Sequence, residues 1–457
     1  MIDLSRREFL CYTGGAVAAA ALSSWRSTSA QAASPGAAVE VLHPRNRVPL
    51  SFIIDDSTCL VNMGHFCMPQ FAEAWPDRDE YKKPWKTWPR EIPDSFVREF
   101  GEWCAEHGVR GKYSVVPNPA CVGWLDRGLP GWSSRELRQS LQLVRDLLVP
   151  NWDIHPEMIT HTRVIDLKTG RPKEDVNDST MENSFPQTDL SVDELASYIA
   201  YALKILKNCE LPCEGITTPG GFGNRVKDKL PVAVHQAVKD VFAAELPHYF
   251  KYVAEGGESA QPKLEHVRGL ETADPRVVVN VPAGTGDWFG NWDGDSPSQG
   301  SRYANEDATS GRMVELIERG EPAVMLCHWP GLYSHGTKRG FLDFQKVVTA
   351  LEGRFSKQTA WMKLSAIGRY QAAKELTKLD LGENRQLSID APLSCPDFTI
   401  RLKLRPSSAP TLHIGQSATP LRKVGAPEQL SENTFWTADE QLIACFSLPK
   451  GSSRLAF

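Results

Sequence analysis

The sequence predicts an α/β protein in which a seven- or eight-stranded (β/α) barrel over residues 33–378 precedes a small antiparallel β-domain over residues 379–457. From about residue 48 to residue 375, short apolar runs alternate with amphipathic stretches of helical length. This alternation is typical of repeated β–α–β units around a parallel sheet. Beyond about residue 380 the helical pattern stops, and short runs separated by Pro, Ser and Gly indicate an all-β module.

The apolar runs of the first region predict six main strands, with helical periodicity in the segments between them. The predicted strands are 50–56, 112–117, 152–161, 214–219, 277–282 and 323–329. The predicted helices are 94–107, 134–148, 192–207, 232–242, 308–319 and 341–355. Weaker strand patterns at 250–253 and 361–364 raise the strand count toward that of a closed or nearly closed barrel.

The second region and the long connections complete the organisation. Strands of the β-domain are predicted at 387–389, 398–402, 412–414 and 442–446. Three connections in the first region are long, at 57–92, 161–187 and 283–305. Each follows the carboxyl end of a predicted strand, where barrels carry their active sites. Loops of this length in a compact domain are usually functional or disordered.

The N-terminus predicts export. Arg6 and Arg7 precede a short apolar run at 14–22, and Ala30-Gln31-Ala32 fits a small-residue cleavage site. This order is that of a secretory signal, and the paired arginines are its twin-arginine form. We therefore expect residues 1–32 to be a signal peptide and the mature protein to be periplasmic or secreted. The apolar run is too short to span a bilayer, and no membrane span is predicted.

Composition narrows the class of protein. The formal net charge is −5, and no basic run follows the signal, so nothing indicates a nucleic-acid partner. The ten cysteines are scattered without zinc-ribbon spacing, and several lie in apolar runs as expected of buried thiols. Trp75, Trp85 and Trp88 share one segment. They either stack on sugar rings or pin a long loop to the core.

Two groups of charged side chains lie at predicted strand ends. Asp55 and Asp56 close the first strand. Adjacent carboxylates repel each other, so a metal, a shared proton or a cationic partner is expected beside them. His155 and His161 both lie in the third predicted strand, where they would be about 20 Å apart. His161, at the strand end, is therefore the better ligand candidate.

Three further features follow later strands. Gly220 belongs to a Pro-Gly-Gly turn, where backbone can approach a ligand closely. Asp287 and Trp288 open a segment rich in Trp and Asp. His328 ends a late buried strand, which is a natural place for a general acid.

The order of these features resembles that of the polysaccharide deacetylase superfamily, the NodB-like carbohydrate esterases. An Asp-Asp pair, a His-containing turn, a Pro-Gly turn, an Asp-Trp segment and a late Leu-Cys-His occur in sequence over about residues 48–375. The resemblance implies a deacetylase-like barrel in which Asp55 is the base and His328 the acid. It also implies that Asp56 and His161 bind a divalent metal ion.

The metal-histidine motif is incomplete. The second metal histidine of the family falls at Ile165 here, and the arginine before the Pro-Gly turn at Thr217, for which Arg225 could substitute. With zinc as the first candidate, a catalytic site needs about three protein ligands. His65, in the long first loop, is the preferred third ligand. Asp166 is the alternative, although a shift of one residue in extended chain reverses the side-chain direction.

Three functions are compatible with these residues. The first is an exported hydrolase that removes acyl groups from a carbohydrate by metal-assisted hydrolysis. Its expected substrate contacts are Asp287, Trp288, Gly220 and Trp88. The alternatives are a glycosidase that uses two carboxylates of Asp55, Asp287 and Asp293, and a non-catalytic glycan-binding protein. A carbohydrate is the expected partner in each case, and the fold alone does not choose among them.

Overall fold

The computed structural model describes residues 39–383 and 385–457. The predicted signal peptide lies outside these residues. The chain divides into two compact units: residues 48–369 form the larger, and the described residues 39–47 together with 370–457 form the smaller. Sequence analysis placed the domain boundary at residue 378. It did not assign residues 39–47, which precede the first predicted strand, to the same unit as the C-terminal residues.

The bounds of the regular elements are as follows. The strands are β1 (Val39–Val41), β2 (Val48–Asp55), β3 (Gly111–Ser114), β4 (Trp152–His155), β5 (Ile165–Asp166), β6 (Arg171–Pro172), β7 (Gly215–Thr217), β8 (His248–Phe250), β9 (Lys263–Arg268), β10 (Arg276–Asn280), β11 (Ala323–His328), β12 (Thr359–Trp361), β13 (Lys378–Leu381), β14 (Gln386–Ala391), β15 (Cys395–Leu402), β16 (Thr411–Ile414), β17 (Ser417–Pro420), β18 (Arg422–Lys423), β19 (Thr434–Ala438), β20 (Gln441–Leu448) and β21 (Gly451–Ala456). The α-helices are α1 (Met63–Ala74), α2 (Asp94–Glu106), α3 (Ser134–Leu143), α4 (Val192–Asn208), α5 (Leu230–Phe242), α6 (Arg312–Glu318), α7 (Trp329–Tyr333), α8 (Arg339–Phe355) and α9 (Leu364–Leu376).

The larger unit is a mixed α/β structure with two main sheets and a small two-stranded antiparallel sheet of β5 and β6. Strands β11, β2, β3 and β4 form a parallel sheet in that order, and β12 pairs in parallel with the start of β2. Strands β7, β8 and β10 form a second parallel run, which β9 extends as an antiparallel edge. The predicted parallel α/β architecture is confirmed. A continuous closed barrel is not seen in residues 48–369, because only isolated bridges, Glu157–Thr217 and Asp287–Leu326, join the two sheets.

The central strand β2 shows why this sequence forms a parallel sheet. Phe52, Ile53 and Ile54 are all fully buried, and a strand covered on both faces needs such an uninterrupted apolar run. The ring of Phe52 stacks on Phe344 of α8 with centroids 4.6 Å apart. Burial of each such side chain stabilises the sheet by about 1.5–3 kcal/mol. A rigid β2 therefore fixes the positions of the carboxylates at its end.

The smaller unit consists of two five-stranded sheets, ordered β1-β15-β20-β19-β18 and β13-β14-β21-β16-β17. The pairing is antiparallel except between β18 and β19. Leu387 of β14 and Phe398 of β15 belong to one buried cluster, so the two sheets share a core. Residues 39–47 belong to this unit because Val39 of β1 pairs with Leu402 of β15.

The segment 57–92, expected to be a loop, contains helix α1. Asn62 caps this helix by accepting a hydrogen bond from the Gly64 N–H at 3.2 Å. The cysteines from Cys59 to Cys445 are all free thiols, and Cys121 alone among them is not fully buried. No helix in residues 39–383 or 385–457 combines the length and the apolar character that crossing a membrane requires.

Candidate active site and metal-binding cluster

Predicted site residues meet at the carboxyl ends of β2 and β11. Asp55 ends β2, and the strand register places His328, the last residue of β11, directly opposite it. Neighbouring strands lie about 4.8 Å apart, so these two residues are immediate neighbours. Asp56 follows with a left-handed backbone, φ 56°. Both carboxylates and His328 are nearly or fully buried.

Asp56 and His161 are also brought together. The Nε2 atom of His161 lies 2.7 Å from Oδ1 of Asp56 and 3.5 Å from Oε1 of Glu157. The other oxygen of Glu157 accepts the Asp56 backbone N–H at 2.8 Å. Asp56, Glu157 and His161 each offer one ligand atom, and these atoms lie within 4.8 Å of one another. The three residues form what we call the DEH cluster.

The charges of the DEH cluster support one another. Burial disfavours the charged imidazolium, but the carboxylates of Asp56 and Glu157 outweigh burial and hold the pKa of His161 well above its usual value. Burial likewise favours neutral Glu157, yet His161 and Lys112 hold the pKa of its carboxyl well below the usual range. Two carboxylates and one imidazole nitrogen also suit a divalent ion, which would replace the proton on Nε2 of His161.

Glu157, which sequence analysis did not select, takes the place predicted for His65. His65 lies on α1, where its Nδ1 is 3.0 Å from the carbonyl oxygen of Trp88 and its ring packs edge-on against Trp85. The helix thus directs the His65 ring toward Trp85 and Trp88, and Glu157 is the third member of the group of ligand atoms around His161. The alternative, Asp166, is exposed and accepts the Lys168 N–H in a turn at 2.8 Å.

Lys112 is the second site residue that sequence analysis missed. Its ammonium donates to Oδ1 of Asp55 at 2.5 Å, to the Ile54 carbonyl at 3.0 Å and to Oγ of Ser114 at 2.8 Å. Lys112 and Asp55 are both fully buried. A buried ammonium favours the ionised form of a neighbouring carboxylate. The suggested substitute, Arg225, is exposed and donates to the Gln187 carbonyl instead.

His328 is held by Asp287. Oδ2 of Asp287 lies 2.7 Å from Nδ1 of His328 and accepts the His328 backbone N–H at 3.2 Å. Burial opposes the imidazolium, but this hydrogen bond and the charges of Asp56 and Asp55 raise the pKa of His328 to about 9. Because Asp287 occupies Nδ1, Nε2 is the nitrogen that remains for proton transfer. Asp287 therefore acts on His328, whereas the sequence predicted a contact with substrate.

The other predicted substrate contacts have different surroundings. Trp88 is 6% exposed and stacks on His335 with centroids 4.7 Å apart, so it pins a loop and its ring is not open to a sugar. Trp288 is half-buried under the guanidinium of Arg302, 4.2 Å from the ring centroid. Gly220 has φ 42° and lies against the side chain of Asn183.

Two long segments cover the DEH cluster. The ring of Phe71, on α1, lies 6.1 Å from that of His161 and 5.4 Å from that of Trp292. An ion pair of 2.5 Å between Lys83 and Asp293 joins the segments 57–92 and 283–305. Both belong to the long connections predicted at strand ends, and together they restrict access to His161.

Comparisons with known proteins give little further guidance. No family model and no curated protein sequence matches the chain. A solved structure from Parabacteroides distasonis, named as a glycoside hydrolase/deacetylase, is similar over 79% of this chain and 82% of that chain, with 12% sequence identity and a TM-score of 0.37. A score this low does not establish a common fold.

Proposed function

We propose that the chain is a metal-dependent hydrolase that removes acyl groups from a carbohydrate after twin-arginine export. The arrangement of the DEH cluster beside Asp55 and the His328–Asp287 pair is the observation that carries this proposal. The order of these residues in the sequence, which resembles that of polysaccharide deacetylases, agrees with it. We also propose that the two parallel sheets are the halves of a deacetylase-like (β/α) barrel.

The geometry suggests a separate catalytic role for each group of residues. When bound to Asp56, Glu157 and His161, a divalent ion would polarise the acyl carbonyl and a water molecule. Asp55, paired with the Lys112 ammonium, would accept the proton from that water. Nε2 of His328 would then donate its proton to the departing oxygen or nitrogen of the sugar.

A glycosidase is the second candidate, and the charges argue against it. A glycosidase needs one carboxylic acid that holds a proton to give to the glycosidic oxygen. Each of the candidate carboxylates, Asp55, Asp287 and Asp293, lies against a cation instead. The cations are Lys112, His328 and Lys83, respectively. A carboxylate engaged in such an ion pair suits the role of a base or an ion partner better than that of the acid.

The test measures metal content and product release on one set of variants. Asp56→Asn and Glu157→Gln should lose bound metal and acyl release from acetylated glycans by about ten-fold or more, because three ligands are the usual minimum for a catalytic ion. His65→Ala is the matched control and should keep both. Metal is measured by elemental analysis, acetate enzymatically, and glycosidic cleavage by reducing ends.

Three results would contradict the proposal. A chelator that leaves acetate release unchanged would remove the metal from the mechanism. Loss of metal in His65→Ala with retention in Glu157→Gln would reverse the assignment of the third ligand. Release of reducing ends without acetate would favour the glycosidase.

A further inference from the structure

A fully buried carboxylate lies behind the turn that carries His161. Oε1 of Glu182 accepts the Ile159 N–H at 3.1 Å and the Tyr198 hydroxyl at 2.5 Å. Oε2 accepts the Thr160 N–H at 3.0 Å and the His161 N–H at 2.7 Å. Glu182 has no part in the proton transfers or metal contacts described above, yet its carboxylate receives four hydrogen bonds.

The three backbone donors are consecutive, and this geometry is specific. Successive N–H groups that converge on one point form a nest, which binds anions. The turn contains two non-glycine residues in the left-handed region, Met158 with φ 53° and His161 with φ 64°. Such residues persist only where the surroundings hold them. Glu182 is the internal anion that fills the nest and satisfies N–H groups that burial would otherwise leave without acceptors.

Glu182 is itself rigidly placed. Its backbone N–H donates to the Thr162 carbonyl at 2.6 Å, which ties its segment to the far side of the turn. Tyr198, on α4, stacks on Phe185 with ring centroids 4.6 Å apart while its hydroxyl bonds Glu182. The carboxylate thus connects a long, well-packed helix to the backbone of a candidate metal ligand.

We propose that Glu182 is a positioning residue for the metal site, a role that rests on the proposed function. It acts through the backbone of the 159–161 turn and holds His161 so that its Nε2 atom faces Asp56 and Glu157. It contacts neither ion nor substrate. Without the carboxylate the turn relaxes, and His161 loses the orientation that brings three ligand atoms together.

The test compares Glu182→Gln with Tyr198→Phe at about pH 8.5. All four groups that contact the Glu182 carboxylate donate to it, and such contacts favour its ionised form. Gln places an NH₂ group against backbone donors and disrupts the nest. Tyr198→Phe removes the hydroxyl that bonds Glu182 and accepts the Ile165 N–H at 3.2 Å, but it leaves the three N–H contacts to Glu182. We expect Glu182→Gln to weaken Zn²⁺ binding to the metal-free protein by about 10–100-fold, the usual effect of losing a group that orients a ligand. Calorimetry should show less than about a three-fold change for Tyr198→Phe.

Thermal unfolding separates this role from a purely structural one. Both variants should lower the midpoint of thermal unfolding. Only Glu182→Gln should also weaken Zn²⁺ binding strongly. A folded Glu182→Gln protein with wild-type Zn²⁺ affinity would overturn the proposal. Glu182→Asp, which keeps the charge but shortens the side chain, gives the same readout if the Gln variant does not fold.

Amide exchange distinguishes failure of this inference from failure of the proposed function. Mass spectrometry of the peptide that covers 157–163 should show faster exchange in Glu182→Gln than in Tyr198→Phe, with or without metal. If the wild-type protein binds no divalent ion but exchange accelerates as expected, the proposed function fails while Glu182 still positions the turn. Unchanged exchange would show that Glu182 does not hold the turn.

Discussion

Replacing Asp287 with asparagine tests whether a buried carboxylate sets the proton affinity of His328. The substitution keeps the shape of the side chain that lies 2.7 Å from Nδ1 of His328 and removes its charge. Against the opposing effect of burial, the surrounding carboxylates raise the pKa of His328 from 6.5 to about 9. Loss of one close opposite charge shifts a pKa by about 1–3 units. We therefore expect Asp287→Asn to lower the pKa of His328 by at least about one unit.

The sign of the pH dependence follows from linkage. A histidine whose pKa is higher in the folded protein stabilises the fold fully below its unfolded pKa and loses that contribution as pH rises through the folded value. For His328 this window runs from 6.5 to about 9. At 1.36 kcal/mol per pKa unit, the contribution lost across it is about 3 kcal/mol. In Asp287→Asn the loss should be smaller by at least about 1.4 kcal/mol and complete at a lower pH.

Urea unfolding at several pH values between 6 and 9.5 measures this difference directly. Asp293→Asn is the matched control, since Asp293 pairs with Lys83 and not with His328. The alkaline limb of the pH–activity profile should shift to lower pH, because His328 must be protonated to act as the acid. An Asp287→Asn protein with wild-type pH dependence of both stability and activity would refute this account of His328.

Two further predictions concern buried charges and access. Lys112→Met leaves the Asp55 carboxylate buried without its ammonium partner, and the free energy of unfolding should fall by about 3–5 kcal/mol. Urea unfolding checks this, and adding Asp55→Asn should recover part of the loss; a change below about 1 kcal/mol would contradict the pairing. Lys83→Met removes the ion pair that joins the two covering segments, so the thiol of Cys67, buried beside His161, should react with a thiol reagent at least about three-fold faster through local opening. Cys104, buried in the main core, is the internal control, and equal acceleration of both thiols would indicate global destabilisation.

The parallel strands could be predicted because their signal is local. A strand buried on both faces must be apolar along its length, and β2 and β11 appear as such runs in the sequence. Asp55, Asp56 and His328 were then found as polar residues at the ends of these runs. Closure of the sheets could not be predicted in the same way, since it depends on how pairs such as Glu157 and Thr217 meet between sheets.

Glu157 was missed because the third strand ends earlier than its pattern indicates. An extended chain from 152 to 161 would have carried Glu157 away from His161. The strand instead stops at His155, and left-handed residues at Met158 and His161 turn the chain back. The group that stabilises this turn, Glu182, lies 21 residues beyond His161. No local pattern in 152–161 contains that information.

The positions of Lys112 and His65 also depend on tertiary contacts that their local sequence does not reveal. A lysine that begins a predicted strand is ordinarily read as solvent-exposed, and only the neighbouring Asp55 explains why Lys112 is fully buried. His65 was favoured because a loop is free to fold over a site. Helix α1 removes that freedom and fixes its ring among aromatic side chains of the same segment.

Under the proposed function, the charge balance of the DEH cluster would account for a metal site without the second histidine of the deacetylase pattern that the sequence resembles. Asp56 and Glu157 give the DEH cluster two negative charges for one imidazole. Without an ion, protonated His161 neutralises only one of them, and burial makes the remaining charge costly. A divalent ion held by Asp56, Glu157 and His161 would take the place of the proton on Nε2 and supply two positive charges, which would leave the cluster neutral. A glutamate in place of the second histidine would thus increase the electrostatic preference of the site for a divalent cation. Without that cation, the imidazolium of His161 supplies part of the missing positive charge.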